Sequence, residues 1–214
     1  MPYSVILFDL DGTLTDPTEG ITKSVQYALV KFDISAEPDE LRGFIGPPLH
    51  HSLMSAYGFD EPAARRSVGF YREYFGEHGI YRNRRFEGVP ALLQGLRAAG
   101  GNLCVVTSKP AVYSEKILDH FGLASFFEAV VAPGLNLADA DKAVLIERAR
   151  HLSAEREPAG FVMIGDCEHD ILGARANGID SFRVTYGAGS REELTTASAT
   201  HVVDSVPELQ ALLL

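Results

Sequence analysis

Short apolar runs alternate with amphipathic stretches along most of the chain. VILF at 5–8, LCVV at 103–106, AVVA at 129–132 and FVMI at 161–164 are continuous rather than alternating. A strand covered on both faces reads this way, because neither side meets water. FRV at 182–184 and HVV at 201–203 are shorter runs of the same kind. Helical spacing fills the intervals, over 90–99 with a Gly100-Gly101 stop, then 110–121, 141–151, 169–177 and 206–213. Repeated strand–helix–strand units predict an α/β fold built on a doubly wound parallel sheet.

One interval breaks the rhythm. Between Leu14 and Phe86 no buried strand is evident, and segments 20–32, 49–57 and 60–75 carry helical patterns instead. Val25, Leu29 and Phe32 fall on one stripe at helical spacing. This predicts a helical insert over 16–82, placed after the first strand of a core made of 1–15 and 83–214. Pro47-Pro48 reads as a turn and Arg82–Arg85 as a linker.

Composition narrows the classes. The chain has 214 residues, 46% hydrophobic and 22% charged, which is ordinary globular usage. A net charge of -10 speaks against a nucleic-acid polymer as partner, since such binders carry a basic face. Two cysteines, Cys104 and Cys167, cannot build a disulfide scaffold or a CxxC metal site, and they fit a reducing cytoplasmic setting. Cys104 sits within an apolar run and reads as core. No apolar stretch reaches the ~20 residues of a membrane span, so no membrane partner is expected. The first apolar run is cut by Asp9 and Asp11, which is unlike a signal peptide.

Those two aspartates carry the first sign of chemistry. The first strand runs straight into Asp9-Leu10-Asp11-Gly12-Thr13. Acids at i and i+2 of an extended segment point the same way and repel each other. A helix cap or Asx turn would account for one acid but not for two. The carboxyl end of a sheet strand is where ligands bind in open α/β folds. A second acidic pair follows FVMI in Gly165-Asp166-Cys167-Glu168-His169-Asp170, with Asp166 and Asp170 four apart at a helix start. Four carboxylates converging call for a hard divalent cation with oxygen ligands, and Mg²⁺ fits.

Two further elements belong with them. LCVV ends in Thr107-Ser108-Lys109-Pro110, where hydroxyls, backbone N–H groups and a helix start suit a phosphate. Lys142, early in a helix, is a solvated residue unless the acids need a countercharge.

DxDGT, hydrophobic-T-S-K, a lone lysine and GDxxxD, in that order, resemble the haloacid dehalogenase superfamily. DLDGTLTDP, GITKSVQYAL and FIGPPL are similar to its phosphoglycolate phosphatase and 5′-nucleotidase-like branch. The resemblance spans essentially the whole chain and implies a sheet order of 3-2-1-4-5. It implies a helical cap inserted after the first motif, and a phosphomonoester hydrolase acting on a small phosphorylated metabolite through an aspartyl-phosphate. Asp9 is then the nucleophile and Asp11 the acid/base. Thr107, through hydroxyl and amide, and Ser108 hold phosphate. Lys142 neutralises charge on Asp9 and the transferring group, with Lys109 as its competitor. Asp9, the Asp11 carbonyl and Asp166 hold Mg²⁺, and Asp170 binds it directly or through water. The cap selects substrate, through a loop at Gly46 and His50.

A phosphomutase of the β-phosphoglucomutase type is the alternative within the same chemistry. A metal-free dehalogenase has no use for Asp11, and a Rossmann cofactor site lacks its GxGxxG. Phe70, Tyr71, Tyr74 and Phe75 read as packing within the insert, and Arg65, Arg66 and Arg72 as mostly solvated. No motif identifies the substrate or the oligomeric state.

Overall fold

The computed structural model describes residues 1–46, 49–136, 140–154, 157–187 and 198–214. Its strands are β1 (Val5–Phe8), β2 (Thr15–Asp16), β3 (Arg84–Arg85), β4 (Asn102–Val106), β5 (Ala129–Val131), β6 (Phe161–Gly165), β7 (Asp180–Val184) and β8 (His201–Val203). Its helices are α1 (Thr18–Val30), α2 (Leu49–Tyr57), α3 (Glu61–Glu77), α4 (Val89–Ala98), α5 (Ala111–His120), α6 (Lys142–Leu152), α7 (Glu168–Ala176) and α8 (Val206–Leu213). The chain divides into two compact units, Met1–Asp16 with Arg85–Leu214, and Pro17–Arg84. Among the described residues no helix is long and apolar enough to cross a membrane.

The first unit holds a six-stranded parallel sheet in the order β5-β4-β1-β6-β7-β8. In strand sequence this is the expected 3-2-1-4-5 with β8 added at the edge. Val5, Leu7, Cys104, Val106, Phe161 and Met163 pack on one face with Leu145, Ile146 and Ala149 of α6 and Ala174 of α7. The alternate residues Ile6, Phe8, Leu103, Val105, Val162 and Ile164 are equally buried and point to the opposite face. Both faces are covered, which is why these strands lack polar alternation.

Register decides where the chemistry falls. Phe8 is level with Val105 on one side and Ile164 on the other. The Asp9 amide continues the ladder onto the Ile164 carbonyl at 2.9 Å. The strands therefore expire together, with Asp9, Thr107 and Asp166 at the carboxyl edge of three neighbours.

The second unit is helical. α1 packs on α3 and on a 3-10 segment, Pro38–Phe44, and α2 packs on α3. Val25 and Leu29 are buried in α1 as the stripe predicts, but Phe32 is not helical. The helix stops at Val30, and Asp33 takes a left-handed φ of 58°. Phe32 instead meets Phe59 at 4.7 Å between ring centroids. Tyr27 stacks on Tyr74 and Tyr71 on Phe75, so the aromatic cluster serves packing. The linker expected at 82–85 contains the short strand β3, which pairs with β2. The turn at Pro47-Pro48 lies outside the described residues.

Candidate active site

The Asp9–Thr13 segment is a tight turn set by the backbone. Leu14 and Thr15 donate their amides to the Leu10 carbonyl at 2.9 and 3.0 Å, and Gly12 donates to Thr15 at 2.7 Å. Gly12 has a φ of 81°, a region that glycine enters without steric cost. A Cβ there would strike the Asp166 carboxylate. A Cβ on Gly187 would strike the Gly12 carbonyl and Asp166. The missing side chains let Asp166 close on the turn that carries Asp9 and Asp11.

Lys142 is placed by its helix. Asp141 caps α6, its Oδ1 accepting the Ala143 and Val144 amides at 2.8 and 3.2 Å. Lys142 is then the first helical residue, and its ammonium enters the sheet edge almost fully buried, at 5% exposure. It donates to Asp9 Oδ1 at 2.9 Å and to the Val106 carbonyl at 3.1 Å, and forms an ion pair with Asp170 Oδ1 at 2.8 Å. Burial would favour the neutral amine, but the Asp170 and Asp9 charges outweigh it and hold the lysine protonated far up the scale. Burial pushes Asp9 up to about 6, with the Lys142 charge opposing that rise. The Lys142 ammonium at 2.9 Å favours the ionised form of Asp9.

Lys109 takes the other half of the DxD pair. Its ammonium lies 2.6 Å from Asp11 Oδ2. Asp11 Oδ1 is buried and has no hydrogen-bond partner among the described residues. The two lysines therefore divide the two aspartates, Lys142 to Asp9 and Lys109 to Asp11.

Asp170 is fully buried. Its Oδ2 accepts the Cys167 amide at 3.2 Å and the thiol at 3.1 Å, while Oδ1 faces Lys142. Burial and the Asp170 charge raise the Cys167 thiol well above its ordinary range, so it stays protonated. Asp166, Cys167 and Asp170 offer atoms within 4.8 Å of one another. Beside the Cys167 thiol, the donors at this edge are carboxylate and carbonyl oxygens, which suit a hard cation such as Mg²⁺.

The Thr107 loop differs from expectation in its amides. Thr107 N–H continues the sheet onto the Val131 carbonyl at 3.1 Å. The Ala111 N–H, at the start of α5, donates to the Pro133 carbonyl at 2.9 Å. Neither amide is available to an anion, because the Val131 and Pro133 carbonyls already accept them. Ser108 donates its hydroxyl to the Ala140 carbonyl at 2.8 Å, tying this loop to the segment before α6. The buried Thr107 hydroxyl accepts the Lys109 amide at 3.3 Å.

In the helical unit, His50 Nε2 lies 2.8 Å from Glu61 Oε2, and Arg65 binds the other oxygen of Glu61. Gly46 is exposed with a φ of 101°. Arg66 lies over the Phe32 ring at 5.7 Å. Sequence reasoning missed Tyr186 and Gly187. Tyr186 donates its hydroxyl to the Thr13 carbonyl at 3.3 Å, and burial with the Asp166 charge raises its phenol. A tyrosine-glycine pair just past a strand was the available signal.

A model described as Haloacid dehalogenase-like hydrolase matches residues 6–184, which include Asp9, Asp11, Thr107, Lys109, Lys142, Asp166 and Asp170. The chain belongs to the haloacid dehalogenase-like hydrolase family. A protein named 5′-nucleotidase from Pseudomonas aeruginosa is 46% identical over 99% of this chain and 96% of its own length. A "predicted phosphatase" structure from Clostridium acetobutylicum superposes with a TM-score of 0.93 at 45% identity, covering 100% of this chain and 99% of that one. A protein named tyrosine-protein kinase PtkA from Mycobacterium tuberculosis is 35% identical over 92% of this chain and 67% of its own length. Within this hydrolase family the motif series marks the chain as a phosphatase, in line with the first two names.

Proposed function

We propose that this phosphatase is a Mg²⁺-dependent phosphomonoester hydrolase that works through an aspartyl-phosphate on Asp9. The observation that supports it most is the Asp9–Lys142–Asp170 arrangement at the carboxyl edge of the sheet. A buried carboxylate, kept ionised beside a buried ammonium, needs no activating base to act as a nucleophile.

Asp9 attacks phosphorus, and the bond from phosphorus to the ester oxygen breaks. Asp11 gives its proton to the departing oxygen, then takes a proton from the water that attacks the aspartyl-phosphate. That attack breaks the bond to Asp9, restoring the carboxylate and releasing inorganic phosphate. The Thr107 hydroxyl and Lys142 meet the phosphoryl oxygens as charge builds there. Ser108 supports this loop by its bond to Ala140 rather than by offering its hydroxyl proton.

Asp9, Asp166 and the Asp11 carbonyl are the residues that would hold Mg²⁺. When bound, Mg²⁺ lowers the repulsion between an anionic nucleophile and an anionic phosphate. Both Asp170 oxygens are engaged within the protein, so Asp170 orients Lys142 and would reach the cation at most through water.

The Pro17–Arg84 unit serves as the specificity cap, with Gly46 and His50, the latter in the first turn of α2 and not in a loop, as its substrate-selecting residues. The similarity to a protein named 5′-nucleotidase favours a nucleoside monophosphate over phosphoglycolate among small phosphate esters. Two free cysteines suit the reducing cytoplasm.

A phosphate-release screen with Mg²⁺, covering nucleoside monophosphates, phosphoglycolate and sugar phosphates, tests the reading. Release from at least one small ester is expected, with none from Asp9→Asn. Transfer of phosphate to a second hydroxyl without release would replace hydrolysis by a transferase reading.

A further inference from the structure

The Lys109–Asp11 contact lies outside the Asp9–Lys142–Asp170 arrangement and joins residues 98 apart in sequence. The lysine side chain is 8% exposed and that of Asp11 18%. The lysine is held at both ends of its backbone. Its amide donates to Thr107 Oγ1 at 3.3 Å, and its carbonyl accepts the Ser114 hydroxyl at 3.2 Å. Pro110 follows with a fixed φ of -52° and leads into α5. These bonds fix where the side chain starts and leave its reach toward Asp11 to the side-chain torsions. At Asp11 it engages one oxygen, Oδ2, while Oδ1 is buried without a hydrogen-bond partner among the described residues.

We propose that Lys109 is a positioning residue that grips Asp11 by Oδ2 and so fixes the orientation from which this carboxyl group exchanges its proton with leaving group and water. This rests on the acid/base reading of Asp11 given above. The lysine itself transfers nothing. It fixes how the Asp11 carboxyl group is oriented, and proton transfer depends steeply on that geometry. A surface role would not need a nearly buried ammonium, and a phosphate-binding role would leave Asp11 without this partner.

The test uses the full chain with saturating Mg²⁺ and two probes of similar size, p-nitrophenyl phosphate and phenyl phosphate. The first has a leaving group that departs without a proton, and the second does not. Lys109→Met should lower kcat for phenyl phosphate at least ~10-fold more than for p-nitrophenyl phosphate, within the range general acids supply. KM should stay within about twofold of wild type, since no binding contact is removed. Lys109→Arg should recover most of the phenyl phosphate rate.

In an Asp11→Asn background, Lys109→Met should add no further loss, because the group it positions is gone. An equal fall on both probes, or a rise in KM alone, would overturn the assignment in favour of phosphate binding. An additive loss in the Asp11→Asn background would overturn it as well. If Lys109→Met does not fold, Lys109→Gln is read against the same pair of probes. A wild-type chain inactive on both esters would instead count against the phosphatase mechanism and not against this contact.

Discussion

Lys142 reaches Asp9 across 133 residues of sequence, its ammonium 2.9 Å from one carboxylate oxygen and 2.8 Å from an oxygen of Asp170. Three charged groups share one buried space at the sheet edge, and each is tolerated because of the others. Replacing the lysine by methionine leaves two carboxylates facing each other without their cation. Lys142→Met is expected to destabilise the metal-free protein by about 3–5 kcal/mol, the cost of orphaning a buried charge. Phosphate release should fall by roughly 10²–10³ through lost charge stabilisation. Urea denaturation and initial rates check the two effects separately.

Asp9→Asn removes the nucleophile but keeps its size. Phosphate release should drop to background while circular dichroism and the unfolding midpoint show a folded chain. A folded variant with near wild-type turnover would sink the assignment of Asp9.

Chelation should act in the same direction. EDTA is expected to abolish turnover and Mg²⁺ to restore it, with the thermal midpoint rising on addition of Mg²⁺ because a ligand bound only by the folded state stabilises it. Asp166→Asn should move the Mg²⁺ requirement to higher concentration, measured by titrating activity. An unchanged requirement would take Asp166 out of the ligand set.

Gly187→Ala places a methyl group against the Gly12 carbonyl and Asp166. The neighbours are backbone and a buried carboxylate, so the wall itself must shift, at about 1–3 kcal/mol. Activity should fall along with stability, because the displaced groups belong to the site. Gly178→Ala offers the control: nothing lies near its Cβ, though its φ of 64° carries a strain of its own, so it should cost stability while leaving kcat in place.

Tyr3 tests pH dependence away from the site. Its hydroxyl donates to Asp180 Oδ2 at 2.9 Å, and burial with the Asp180 contact raises the phenol to about 12. The folded value lies above the ordinary value of 10, so the contribution is fully present below pH 10 and is lost as pH rises through about 12. Tyr3→Phe should be less stable than wild type by about 0.5–1.5 kcal/mol near neutrality. The gap should narrow above pH 10, followed by urea midpoints at stepped pH.

The sheet was legible in the sequence because VILF, LCVV, AVVA and FVMI are apolar without alternation, the mark of strands covered on both sides. The 3-10 segment Pro38–Phe44 was not, since its stretch has too few apolar positions to show a period. Phe32 continued the helical stripe on paper, yet the backbone turns at Asp33 and sends its ring to Phe59. At the site, Asp9, Asp11, Asp166 and Asp170 were visible as acids at strand ends. The engaged amides of Thr107 and Ala111 were not, because their acceptors, Val131 and Pro133, are remote in sequence.

By itself, then, the chain determined which residue types stand at the carboxyl ends of which strands, since strand period and motif spacing are local properties. Only the tertiary structure decided that Lys142 serves Asp9 and Lys109 serves Asp11. It also turned Asp170 inward to a lysine and a thiol, and brought Tyr186 and Gly187 against the DxDGT turn. Those choices depend on where a capped helix start and a proline-stiffened loop meet the sheet edge, and a pairing over 98 or 133 residues leaves no periodic trace.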